Sequence, residues 1–167
     1  IMLSPVGAYY PEGFKPVKIL AQDDYVRAVR KGLGDCKTPA NYAASMLATD
    51  EARKKGFTQV LWLDGVEQKY VEEVGTMNIF VRFKNEIVTP KLTGSILPGV
   101  TRKSVIKILQ DWKMNITERL VSIDEVIEEY KKFIFLCCIT DTGVTPSDPV
   151  DQAWHLHLTF TRSYWID

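Results

Sequence analysis

Lys37 ends the run Gly34-Asp35-Cys36-Lys37 and is followed five residues later by Tyr42. A lysine amine becomes a nucleophile or proton carrier once its pKa is lowered, but a solitary lysine is ordinarily a solvated surface group. A tyrosine at a helix start ordinarily packs its ring and leaves its hydroxyl on water. Glu72 and Glu73 are adjacent. On a strand such neighbours point to opposite faces, so one carboxylate can face a site while the other is solvated. Gly99-Val100-Thr101 opens a helix pattern. Free backbone N–H groups, the positive end of the helix dipole and a hydroxyl suit a phosphate there, although plain capping by Thr101 would serve the same residues. His155 and His157 are the chain's two histidines. On a strand a His-x-His pair can seat a metal; on a helix the rings splay about 200° apart. With Asp151 four residues before His155, helical capping and packing is the preferred account and no metal is assigned. Cys36 and the adjacent Cys137 and Cys138 have neither framework nor Cys-x-x-Cys spacing, which fits a reducing compartment.

The elements that must position these residues follow from pattern. Pro- and Gly-rich loop chemistry over residues 4–16 leads into a strand at 17–20, whose end is marked by Gln22-Asp23-Asp24. Pro39 precedes a helix over 41–55, ended by Gly56 as a left-handed cap. An apolar strand at 59–63 closes on Asp64-Gly65, and strands at 77–83 and 86–89 flank Lys84-Asn85 as a hairpin. A second helix spans 102–112, with Val105, Ile108, Leu109 and Trp112 on one stripe and a basic opposite face. A strand at 116–121 follows, then Ser122 and Glu125 as a capping box for a third helix from 123 to about 131. The run 133–139 reads as a buried strand, and 145–151 as a helix start. Strands alternating with helices predict a mixed α/β (α+β) domain.

At 167 residues, 46% hydrophobic and 25% charged, the chain has the length and composition of one folded domain. Twenty-one basic residues balance twenty-one acidic ones, leaving no long-range field to gather nucleic acid or anionic lipid. The most apolar stretch, 133–139, is far short of the roughly twenty residues needed to cross a bilayer. No signal peptide is visible at the N-terminus, and opening on Ile1 predicts that this is not a natural start.

Four separated segments closely resemble the branched-chain amino acid aminotransferases, class IV pyridoxal-phosphate enzymes of fold type IV. They are Gly34-Asp35-Cys36-Lys37 with Asn41-Tyr42-Ala43-Ala44-Ser45, Val60-Leu61-Trp62-Leu63-Asp64-Gly65, Glu73-Val74-Gly75-Thr76-Met77-Asn78, and Leu97-Pro98-Gly99-Val100-Thr101-Arg102. The resemblance implies the cofactor-binding domain of a D-amino acid aminotransferase-like fold. It implies that Lys37 binds pyridoxal 5'-phosphate and moves the substrate proton, and that Glu73 holds the proton of the pyridine nitrogen. Tyr42 would bond the cofactor's 3'-oxygen, Leu97 pack on its ring, and Val100 and Thr101 take its phosphate. Thr76 lies where the family approaches its substrate. The implied reaction exchanges the amino group of Leu, Ile or Val with 2-oxoglutarate in a cytoplasmic homodimer, with a mitochondrial or plastid matrix as the other possible setting.

The resemblance covers about residues 4–131, read as a partial large domain. In the family, a preceding small domain supplies an arginine to the phosphate and much of the pocket, and a Gly-Thr-Gly-Thr-Ala-like loop follows the third helix. This chain carries neither, so a truncated fragment with impaired turnover is expected. Residues 132–167 read as a divergent segment of strand plus helix, in which Trp154-His155-Leu156-His157-Leu158 with Tyr164-Trp165 resembles glycine-rich-domain-type proteins. Other readings are a non-catalytic remnant, a D-amino acid aminotransferase or aminodeoxychorismate lyase of the same fold, and a metal-binding module centred on His155 and His157.

Overall fold

The computed structural model describes residues 17–139. Strand β1 (Ile19–Gln22) leads through a long loop to helix α1 (Pro39–Lys54) and returns in β2 (Gln59–Leu63), which pairs parallel to β1. β3 (Val71–Val74) is antiparallel to β2, and β4 (Met77–Asn78) to β3, completing a sheet of order β1-β2-β3-β4. A three-stranded sheet β5-β6-β7 follows, from β5 (Val81–Arg82), β6 (Ile87–Pro90) and β7 (Ile116–Arg119). β5 and β6 form a hairpin, and helix α2 (Val100–Asp111) makes the crossover to the parallel β7. The mixed α/β class is thus observed.

β2 lies inside on both faces, which is why Gln-Val-Leu-Trp-Leu reads as a nearly unbroken apolar run. Leu61 and Leu63 join Ile19, Val71, Val74, Val88 and Val121 in one cluster; Val60 and Trp62 face α1 in another. α1 meets them with Ser45, Ala48 and Ala52, small side chains that let the helix lie close. It begins at Pro39, whose missing N–H costs nothing in a first turn, and ends before Gly56 at φ +84°. The indole Nε1 of Trp62 donates to Gly75 O at 2.9 Å, so the core side chain also anchors the β3–β4 turn.

Two expectations are corrected. The predicted strand 77–83 divides into β4 and β5 in different sheets; Ile79 O leaves the ladder and accepts from the buried Thr89 hydroxyl at 2.8 Å. The predicted strand 133–139 is helical, the end of α3 (Ile123–Ile139). No Gly or Pro interrupts residues 123–139, and a short apolar run carries no period that separates the two states. Within the apolar stripe of α2, Val105 and Leu109 are half-buried while Ile108 and Trp112 are exposed. The capping box stands as expected, with Ser122 N–H donating to Glu125 Oε2 at 2.9 Å and Glu125 N–H to Ser122 Oγ at 3.1 Å. The side chains of Cys137 and Cys138, the two histidines His155 and His157, and the 145–151 helix start lie outside what the structure describes.

Candidate functional site

The site is built where the loop before α1, the β3–β4 hairpin and the segment entering α2 converge. β3 and β4 are joined by the two-residue turn Gly75-Thr76. Gly75 supplies φ +55°, and a Cβ there would stand 2.2 Å from Gln59 Oε1. Glu73, Thr76 and Asn78 thereby fall on one tight hairpin. The Lys37 loop is held by Asn41, whose amide donates to Leu33 O at 2.8 Å and to Cys36 O at 2.9 Å. Gly34 lets this loop lie against the 95–97 segment, since a Cβ would come 2.2 Å from Ser95 O.

Together these segments line a shallow cleft, open to solvent, with Arg27, Cys36, Tyr42, Glu73, Thr76 and Leu97 in its wall. Lys37 stands beside it, its Nζ 5.3 Å from the centre of the Tyr42 ring and its charge acting on Glu73. Val100 and Thr101 form the first turn of α2 outside the wall. They are tied to it through Gly99, whose missing side chain leaves room for Asn78 Oδ1.

Glu73 is buried and well partnered. Leu97 N–H donates to its Oε1 at 2.9 Å, the Asn78 amide reaches the same oxygen at 3.4 Å, and Arg27 Nε lies 3.4 Å from Oε2. Burial raises its pKa from the ordinary value, opposed by the Arg27 charge, the Leu97 N–H and Lys37. The Asn78 amide also donates to Leu97 O at 2.8 Å, closing a clamp between the hairpin and the α2 approach. The Gly99 cap offers no side-chain acceptor to the first turn of α2, so Thr101 is not the cap and those N–H groups keep their capacity for an anion.

Two sequence expectations change. Glu72 is not solvated but as buried as Glu73; Ser95 Oγ donates to its Oε1. Burial raises its pKa as well, against the Ser95 hydrogen bond and the Arg27 charge. Both faces of β3 are covered, so alternation does not take either carboxylate to water. Lys37, expected with a lowered pKa, has one held above the ordinary value by its hydrogen bond to Tyr42; it is exposed, and burial does little to oppose this. Arg27 and Ser95 escaped sequence reading because Arg27 finds its partners Glu73 and Ser95 far along the chain, on other elements. Asp64, part of a quoted motif, organises its turn by accepting the N–H groups of Val66, Glu67, Lys69 and Tyr70.

This fold and these converging segments together define a class. Residues 6–146 match the amino-transferase class IV family, and the chain belongs to it. It is 58% identical over 131 residues to branched-chain-amino-acid aminotransferase 2 of Bacillus subtilis, covering 78% of this chain and 36% of that protein. The branched-chain aminotransferase of Thermoproteus uzoniensis, solved with norvaline, has TM-score 0.66 at 27% identity over 75% of this chain and 41% of that one. The branched-chain amino acid aminotransferase of Escherichia coli has TM-score 0.64 at 28% identity, covering 72% of this chain and 40% of that one. The chain therefore spans about two fifths of the length of these relatives. Another similar branched-chain enzyme was solved in complex with N-(5'-phosphopyridoxyl)-L-glutamate, with TM-score 0.59 at 28% identity over 66% of this chain and 36% of that one.

Proposed function

We propose that these residues are the cofactor-bearing part of a branched-chain amino acid aminotransferase that uses pyridoxal 5'-phosphate to move the amino group of Leu, Ile or Val to 2-oxoglutarate. The observation that carries the reading is that Tyr42 and Glu73, from separate elements, line one cleft with Lys37 beside it. The donor set fits the group: an amine, a phenol, a buried carboxylate paired with arginine, and an uncapped helix start.

Bound there, pyridoxal phosphate supplies an electron sink. Lys37 Nζ holds it and carries the proton on and off the substrate α-carbon, for which the amine must first lose the proton that Tyr42 favours. Glu73, ionised through Arg27, holds a proton on the pyridine nitrogen. Tyr42 donates to the 3'-oxygen, Leu97 packs on the ring, and the N–H groups of Val100 and Thr101, with the Thr101 hydroxyl, take the phosphate. Thr76, at the hairpin turn, meets the substrate. The partial large domain runs past residue 131, since α3 continues unbroken to Ile139; the working assembly is a cytoplasmic homodimer.

The exposure of Lys37 supports the impaired-turnover reading. Orientation and exclusion of water are worth orders of magnitude in rate, and the cleft is open on this side. Borohydride reduction of the chain loaded with pyridoxal phosphate, followed by peptide mapping, is expected to label Lys37. A label on another lysine with none on Lys37 overturns the assignment. A coupled assay of Leu with 2-oxoglutarate should show little turnover. Robust turnover abolished by Lys37→Ala would show instead that these residues suffice.

A further inference from the structure

Glu72 and Glu73 are consecutive and equally buried, only 4% and 3% exposed, yet differently provisioned. Glu73 has the Arg27 guanidinium, a backbone N–H and the Asn78 amide. Glu72 has one hydroxyl, from Ser95, and its Oε2 has no hydrogen-bond partner. Arg27 bridges the two environments: Nε pairs with Glu73 while Nη2 donates to the carbonyl of Ser95, the residue whose hydroxyl meets Glu72. The groups facing Glu72 from other elements are Arg27, Asp64 and Ser95, with Arg30, Tyr70 and Lys91 around the same small cleft on its side of the sheet.

Two buried carboxylates that share one guanidinium cannot both ionise cheaply. The proton goes where the charge is worse served. Ser95 Oγ lies 2.9 Å from Thr93 Oγ1 and can turn its hydrogen that way, which leaves its oxygen free to accept from a protonated Glu72. We propose that Glu72 and Glu73 form a divided pair, in which the proton resides on Glu72 against Ser95 so that the Arg27 charge is reserved for Glu73. Glu72 is then a positioning residue: it touches neither substrate nor cofactor, and it keeps its neighbour ionised and directed into the cleft. Its use in catalysis rests on the function proposed above; the protonation order does not.

Coupled groups titrate as a pair, so single variants are needed to assign the steps. The test is an NMR titration of the full chain carrying isotope-labelled glutamate carboxyls, without cofactor. On acidification the first buried carboxyl to protonate is expected to be the one whose signal disappears in Glu72→Gln. In that variant the Glu73 midpoint should stay where it is, because Glu72 is already neutral when Glu73 titrates, whereas Glu73→Gln should lower the Glu72 midpoint by removing a like charge and freeing Arg27. Ser95→Ala should raise the Glu72 midpoint. A higher midpoint on Glu73, a Glu73 midpoint that falls in Glu72→Gln, or a Glu72 midpoint unmoved by Glu73→Gln overturns the proposal. Glu72→Gln preserves shape and the acceptor for Ser95, and the titration of Ser95→Ala gives an independent arm. A chain that shows this order yet fails to be labelled at Lys37 would retain the divided pair and lose the enzymatic reading.

Discussion

Replacing Gly34 by alanine tests whether close approach of the Lys37 loop to the 95–97 segment builds the cleft. The added methyl would lie 2.2 Å from Ser95 O and 2.6 Å from Ala28 Cβ. Ordinary contact begins near 3.4 Å, so one segment must retreat by about 1 Å, the scale at which misplacement costs catalytic sites about 100-fold. The backbone of Ser95 cannot yield freely, because its carbonyl holds Arg27 and its hydroxyl meets Glu72. Overpacking of this kind costs about 1–3 kcal/mol, or about 2–12 °C in Tm for a chain of this size. Pyridoxal phosphate affinity, read by fluorescence quenching, should fall at least about tenfold, alongside the drop in Tm. Gly56→Ala is the control: φ is +84° but nothing lies within 4 Å of the new Cβ, so it strains the α1 end alone and leaves affinity unchanged. Wild-type affinity and Tm in Gly34→Ala would refute the close-approach argument.

Trp62→Ala removes a fully buried indole and its bond to Gly75 O; denaturant unfolding should show a loss of about 3–5 kcal/mol, and a loss under about 1 kcal/mol would mean the core closes over the gap. Asp64 is pushed up by burial, yet its four backbone N–H donors outweigh this and hold its pKa below the ordinary value. Its contribution is therefore present above pH 3.8, the unfolded value, and lost as pH falls through the folded one. Asp64→Asn should flatten that acid limb in Tm against pH, and an unchanged limb would reject the role. Glu72 has the opposite sign: with its folded pKa raised, its contribution is complete below pH 4.5 and lost as pH rises through the folded value. Glu72→Gln should thus melt higher than wild type near neutral pH, with the advantage shrinking on acidification; a constant or reversed difference would count against a buried, titrating Glu72.

Local signals were legible wherever the determining residues are neighbours in sequence. Gly56 ends α1, Ser122 and Glu125 cap α3, and the β5–β6 hairpin forms around Lys84-Asn85, because capping and turn chemistry act over a few residues. The four motif segments were likewise enough to fix the family, and they singled out Tyr42, Glu73, Thr76 and Leu97, which the fold brings to one cleft with Lys37 beside it. What the sequence left open depends on what lies opposite each residue in space. Periodicity predicted that one of Glu72 and Glu73 is solvated, but β3 is covered on both faces; only packing decides that. The Lys37 pKa follows from its exposure and the Tyr42 oxygen, neither of which has a sequence signature. Arg27 reached Glu73 and Ser95 only when the β1–α1 loop folded across the β3–β4 hairpin. Local chemistry thus determined the elements and the candidate residues, while the distribution of charge and hydrogen bonds among them was decided by tertiary contacts, since electrostatic partners are chosen by distance in space.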